Sequence, residues 1–173
     1  AKTLIVLGSG GHTAEMLEVV KNLSHEKYTP RYYVLSKSDI TSVDRVKNID
    51  LAANQDNFLE IFRSRNVNQS YLTSIFTTVL AILHCFPLLW RTRPDLILCN
   101  GPGTCVPVCF VAFIYKLLRI IPNCKIVFLE SICRVKTLSL SGKLLIWITD
   151  LFVVQWPQLK VYKQKVKYFG KLT

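Results

Sequence analysis

Thr3-Leu4-Ile5-Val6-Leu7-Gly8-Ser9-Gly10-Gly11-His12-Thr13 passes from five apolar or β-branched residues into a turn with three glycines. The run is of the kind a strand shows when both its faces are buried in a parallel sheet. Downstream, Met16, Leu17, Val20 and Leu23 recur at the spacing of one helix face. Glycines between the two allow positive φ and close approach of a ligand to the backbone. Strand, glycine turn and helix N-terminus together make an anion site, since free N–H groups and the helix dipole point at whatever binds there. Gly8, Ser9, Gly10, Gly11, His12 and Thr13 are therefore expected to hold a phosphate-bearing ligand.

Outward from this unit, apolar strand-like runs alternate with helix-length segments. Strands are expected at 31–35, 57–62, 96–99, 125–129 and 151–154, with helices at 38–47, 71–90, 107–118 and 141–147. The alternation implies βαβ units in one Rossmann-like domain over 1–173, built on a doubly wound, mostly parallel sheet. In such a sheet the first and fourth strands lie side by side where strand order reverses, so the turns that follow them face one crevice. The turn after the fourth strand is Asn100-Gly101-Pro102-Gly103-Thr104, a second glycine loop. Two glycine turns at one crevice suit a diphosphate better than a single phosphate. The fifth strand ends in Glu130-Ser131-Ile132-Cys133-Arg134 at the same edge. There Glu130 could act as a base or hydroxyl acceptor and Arg134 as a phosphate ligand.

Common nucleotide signatures are incomplete. Gly8 and Gly10 fit G-x-G-x-x-G, but Thr13 stands at the third position, and Ser36-Lys37-Ser38 offers no ribose-binding acid after the second strand. This weakens an NAD(P)-dependent oxidoreductase. His12, beside a helix N-terminus that disfavours imidazolium, can accept a proton from a sugar hydroxyl or donate to a phosphate oxygen. Carboxylates are few and unclustered, so neither a metal nor another cofactor is expected.

The 173 residues carry 22 Lys+Arg against 11 Asp+Glu, a net charge of +11, and are 50% hydrophobic. Such a balance favours anionic partners. No nucleic-acid-binding motif accompanies it, and the basic tail with Lys160, Lys163, Lys165, Lys167 and Lys171 suits a solvated face, a partner subunit or anionic lipid. Six cysteines without a C-x-x-C pair, mostly in apolar runs, read as reduced core residues of a reducing compartment. The apolar helix 71–90, flanked by Arg63, Arg65, Arg91 and Arg93, is about long enough to cross a bilayer. Its Thr73, Ser74, Thr77, Thr78, His84 and Pro87 favour a helix packed on the sheet with one face toward a membrane.

Taken in order, Gly8-Ser9-Gly10-Gly11-His12-Thr13, Arg63-Ser64-Arg65, Asn100-Gly101-Pro102-Gly103-Thr104-Cys105, Glu130-Ser131-Ile132-Cys133-Arg134-Val135, Leu140-Ser141-Gly142-Lys143 and Val154-Gln155-Trp156 resemble one family across nearly the whole chain. It is the membrane-anchoring, ALG14-type subunit of the two-subunit UDP-N-acetylglucosamine transferase of N-glycan assembly. The resemblance implies the N-terminal, acceptor-side half of a GT-B glycosyltransferase, with the donor-binding catalytic subunit as a separate chain that it recruits. It implies work at the cytosolic face of the endoplasmic reticulum membrane, adding the second N-acetylglucosamine to dolichyl-diphosphate-N-acetylglucosamine with inversion. The nearest single-chain analogue is the bacterial transferase that makes peptidoglycan lipid II, whose glycine loops are assigned to a lipid-linked diphosphate. The family's N-terminal membrane helix is expected upstream of Ala1. Carried onto this chain, the acceptor diphosphate site is Gly8, Ser9, Gly10, Gly11, Thr13, Asn100, Gly101, Gly103, Thr104, Ser131 and Arg134. Either His12 or Glu130 is then the base. A recruitment scaffold with no catalytic residue of its own is the alternative.

Overall fold

Alternate residues of the opening run face opposite ways, and both directions are covered. In the computed structural model, which describes residues 1–37, 39–62, 71–101, 103–162 and 165–173, β1 (Thr3–Val6) is buried along its whole length. Leu4 and Val6 enter one core with Cys85, Leu89, Val108, Phe128 and Phe152. Ile5 joins Met16, Leu17, Val20, Tyr33 and Val46 in another. A central strand with two apolar faces has no polar alternation to show, as the sequence run requires.

The remaining elements follow in βα order. They are α1 (Gly11–Lys21), β2 (Arg31–Ser36), α2 (Ile40–Ile49), β3 (Phe58–Ile61), α3 (Tyr71–Thr92), β4 (Leu96–Asn100), α4 (Cys105–Leu117), β5 (Lys125–Leu129), α5 (Leu140–Leu145), β6 (Leu151–Val154) and β7 (Val166–Tyr168). Short 3-10 turns occupy Gln55–Asn57 and Pro157–Tyr162. Strand order in the sheet is β3-β2-β1-β4-β5-β6-β7, and all neighbouring strands in it pair in parallel. The expected doubly wound fold is therefore present, with α1 and α2 on one face and α3, α4 and α5 on the other. Order reverses between β1 and β4, where Val6 pairs with Cys99. Asn100 in turn pairs with Leu129 of β5. Register thus delivers the turns after β1, β4 and β5 to one edge.

Several boundaries move for local reasons. Helix α2 starts at Ile40 because the Asp39 side chain accepts from the Ser42 N–H as its cap. Helix α4 starts before Pro107, since proline in a first turn lacks only an N–H that would have no helical partner. The basic tail adds a strand that the alternation did not predict. Val166 enters the core at 1% exposure while Lys167 and Tyr168 stay outside. Lys165 donates to the Trp147 and Thr149 carbonyls at 2.9 and 3.2 Å, so part of this basic run ties the sheet edge down. Arg63-Ser64-Arg65 and Lys163 lie outside the described residues.

Helix α3 is packed rather than free. Ala81, Cys85 and Leu89 are fully buried against the sheet and α4, with the Tyr115 hydroxyl donating to the Phe86 carbonyl at 2.9 Å. Its outer face leaves Ile75, Phe76, Val79, Leu80, Leu83 and Trp90 exposed. The Ser74–Thr92 portion is long and apolar enough to cross a membrane, with 22% of its most apolar window buried.

Five of the six cysteines are buried and Cys133 is exposed; none is in a disulfide. Burial pushes the Cys85 and Cys124 thiols up to about 12, which keeps them protonated at neutral pH and poor nucleophiles.

Candidate functional site

The glycine turn after β1 is shaped by two residues. Gly10 takes φ +63° and ψ −118° as the residue before α1, a conformation that a Cβ would strain. Thr13, fully buried, donates from Oγ1 to the Gly8 carbonyl at 2.6 Å and meets the Ser42 hydroxyl at 2.9 Å. The threonine that breaks the dinucleotide fingerprint therefore closes the loop from within. Gly8 is buried, while Ser9, Gly10 and Gly11 lie exposed on the rim. No side chain caps α1 or α4, and neither first turn holds an acid. Both first turns thus offer backbone N–H groups with no acidic side chain of their own to take them. The ribose-binding acid is missing here too: after β2 stands Lys37, whose ammonium lies 4.6 Å from the Phe62 ring centroid.

The second turn meets the first through His12. Gly101 has φ +59°, and a Cβ there would stand 2.7 Å from His12 Cε1 and 3.0 Å from Nδ1. The absence of a side chain makes room for the imidazole. Asn100 Oδ1 lies 2.9 Å from His12 Nδ1, and Asn100 Nδ2 donates to Glu15 Oε2 at 2.8 Å. Ser131, from the turn after β5, donates to the other Glu15 oxygen at 2.8 Å. One polar chain, His12–Asn100–Glu15–Ser131, thereby joins all three turns. It borders a cavity of about 370 Å³ lined also by Gly11, Gly101, Glu130, Cys133, Arg134 and Ser139.

Glu130 and Arg134 take different places in that cavity. Glu130 is fully buried. Its Oε2 accepts from the Ser139 N–H and hydroxyl at 3.0 and 3.1 Å, and its Oε1 from the Ser131 N–H at 3.2 Å. Ser139 Oγ accepts in turn from the Gly142 N–H at 2.9 Å, so the carboxylate anchors the start of α5. Behind it, Gln155 Nε2 donates to the Glu130 carbonyl at 3.3 Å, and Trp156 Nε1 to the Ile132 carbonyl at 2.7 Å. Arg134 is exposed at the cavity mouth, and among the described residues its guanidinium makes no hydrogen bond or ion pair. Gly103 and Thr104 precede α4 outside the cavity lining, with Gly103 exposed and Thr104 buried.

Burial raises the Glu130 pKa, and the bonds from Ser139 and Ser131 and the Arg134 charge offset it only in part. A raised native value means that the folded form holds its proton more tightly than the unfolded chain. The associated stability is complete below the unfolded value of about 4.3 and is lost as pH rises through the native one. Denaturation midpoints of the wild-type chain should therefore fall across that window relative to Glu130→Gln, which has no carboxylate to titrate. Parallel curves for the two proteins would contradict this environment for Glu130.

The spacing of the motifs identified most of the cavity but missed Glu15 and Ser139. Glu15 lies three residues after His12 on α1, hence on the same helix face, the one signal that could have drawn it in. Gly8 and Thr13, both expected at the ligand, are buried and joined by the Thr13 hydroxyl within the loop.

A parallel sheet whose first and fourth strands lie side by side and carry facing glycine turns is a Rossmann-like, doubly wound fold. The structure superposes on MurG of Acinetobacter baumannii with a TM-score of 0.69 and 13% identity, covering 99% of this chain and 45% of that one. A UDP-N-acetylglucosamine 2-epimerase from Rickettsia bellii aligns with a TM-score of 0.57 and 15% identity, again over 99% and 45%. The chain thus spans less than half of each neighbour, and at these identities the likeness concerns the fold alone. The sequence goes further: residues 3–172 match the family described as oligosaccharide biosynthesis protein Alg14 like, and the chain belongs to that family. A rat relative, UDP-N-acetylglucosamine transferase subunit ALG14, is 50% identical over 98% of this chain and 82% of its own length.

Proposed function

We propose that this chain is the acceptor-side subunit of a two-chain N-acetylglucosaminyltransferase. It binds dolichyl-diphosphate-N-acetylglucosamine and recruits the donor-binding catalytic subunit, which holds UDP-N-acetylglucosamine, to the cytosolic face of the endoplasmic reticulum membrane. The observation that carries this reading is the meeting of both glycine turns and the Ser131 turn around His12 at one cavity. A lone glycine turn would serve a single phosphate; the uncapped N-terminus of α1, the Gly101 turn and the exposed Arg134 at one cavity fit a diphosphate. Gly10, Gly11, Gly101 and Arg134 form its surroundings, Gly103 and Thr104 lead from the second turn into α4, and Gly8, Ser9, Thr13, Asn100 and Ser131 shape the turns.

In the reaction, the acceptor 4-hydroxyl oxygen attacks the anomeric carbon of the donor sugar from the side opposite UDP. The new β-1,4 bond forms as the bond to UDP breaks, and UDP leaves with the electron pair. His12 takes the hydroxyl proton at the ring nitrogen not used by Asn100. Glu130, fully buried and bonded on both oxygens, holds the third turn in place. The exposed apolar face of α3, with Arg91 and Arg93 at its end, suits a domain resting on a bilayer that carries the lipid acceptor. The name of the rat relative supports the donor and the existence of a partner. Equilibrium binding of a short-chain isoprenyl-diphosphate N-acetylglucosamine by this chain, measured without its partner, tests the reading.

A further inference from the structure

We infer that Glu15 is a positioning residue, which fixes the tautomer of His12 through Asn100. The inference rests on the reading of His12 as base and deepens it. Among the described residues Glu15 touches Asn100 and Ser131 but makes no hydrogen bond to His12, so its action is indirect. An ionised carboxylate can only accept. At 2.8 Å from Glu15 Oε2, the Asn100 side chain must therefore present its NH₂ group, because its oxygen there would set two acceptors against each other. That choice turns Asn100 Oδ1 toward His12 at 2.9 Å, and an oxygen facing Nδ1 requires Nδ1 to carry the proton. In the neutral ring Nε2 is then left as the lone-pair nitrogen. The same ring occupies the space beside Gly101, where a Cβ would stand 2.7 Å from its Cε1.

The second Glu15 oxygen is fixed as well, because the Ser131 hydroxyl donates to it at 2.8 Å. Glu15 is half-buried, held from two sides by groups on β4 and after β5, and so is itself oriented before any ligand arrives. The polarity of the chain runs in one direction, from a carboxylate that only accepts to an imidazole that must donate. This is the logic by which a carboxylate behind a catalytic histidine sets which nitrogen is basic, here with an asparagine as relay.

The test reads the ring directly. The chain has three histidines, so ¹⁵N-labelled protein at a pH where the ring is neutral gives few imidazole signals, and His12→Ala identifies the one in question. The wild type is expected to show His12 as the Nδ1–H form. Glu15→Leu, which keeps the side-chain bulk and removes both acceptors, shifts it toward the Nε2–H form. Glu15→Gln retains the wild-type form, because its oxygen can accept from Asn100 while its NH₂ donates to Ser131. In the reconstituted complex Glu15→Leu lowers kcat by about 10²-fold with little change in KM, and Glu15→Gln restores most of it. An Nε2–H ring in the wild type overturns the inference without any variant, as does an unchanged ring in Glu15→Leu. Should the ring respond as expected while His12→Ala keeps full turnover, the assignment of His12 as base fails and the hold of Glu15 on the ring stands. If Glu15→Leu does not fold, Glu15→Asp, whose shorter chain withdraws both oxygens, gives the same readout.

Discussion

Replacing His12 by Ala in the complex with the donor-binding subunit is expected to lower kcat by about 10²–10⁴-fold, the range general-base catalysis contributes. The loss belongs in kcat, because in the proposed reaction the proton moves in the transition state and other groups hold the diphosphate. Co-purification of the variant with the partner serves as the control for assembly. Full turnover in an assembled His12→Ala complex would favour the scaffold alternative, in which the partner holds all the chemistry.

Gly101→Val is expected to be nearly as damaging by a different route. The residue sits at φ +59°, where an L side chain costs about 1–2 kcal/mol and a β-branched one is a marked outlier. Its Cβ would also lie 2.7 Å from His12 Cε1, so the ring must move. Displacement of a reacting group by about 1 Å can cost roughly 10²-fold in rate. Gly170→Ala separates the two effects, because Gly170 has φ +91°, an added Cβ there meets nothing within 4 Å, and the residue lies outside the cavity lining. It should lose stability on a similar scale and keep turnover, as measured by denaturation midpoint and transfer rate. Equal loss of turnover in both variants would place the damage in folding alone.

The sheet was legible because its central strands are apolar on both faces and alternate with helix-length segments. The glycines then marked where those strands end, and the fourth strand could be set beside the first. Strand β7 escaped because one of its three residues enters the core and its neighbours are lysines, the pattern of a solvated tail. At the candidate site, the residues that stood out in the sequence, His12, Glu130, Arg134 and the two glycine turns, do line or border one cavity. What each does there depended on burial and partners. Thr13 reads as a ligand from its place in the motif, yet its hydroxyl is fully buried against Gly8. Glu15 reads as a helix-surface residue, and its meaning lies in contacts with Asn100 and Ser131, 85 and 116 positions away. Such contacts come from sheet register and leave no local periodicity.

On the proposed function, the cavity between the two glycine turns takes the lipid-linked diphosphate and the nucleotide sugar falls to the partner. A ³¹P and calorimetric titration of this chain alone separates the two ligands, with a short-chain isoprenyl-diphosphate N-acetylglucosamine in one arm and UDP-N-acetylglucosamine in the other. Saturable binding is expected for the first, weakened at least about tenfold by Arg134→Ala through loss of a charge-assisted phosphate contact, and none for the second. Saturable binding of UDP-N-acetylglucosamine with none of the lipid diphosphate would contradict this assignment of the cavity.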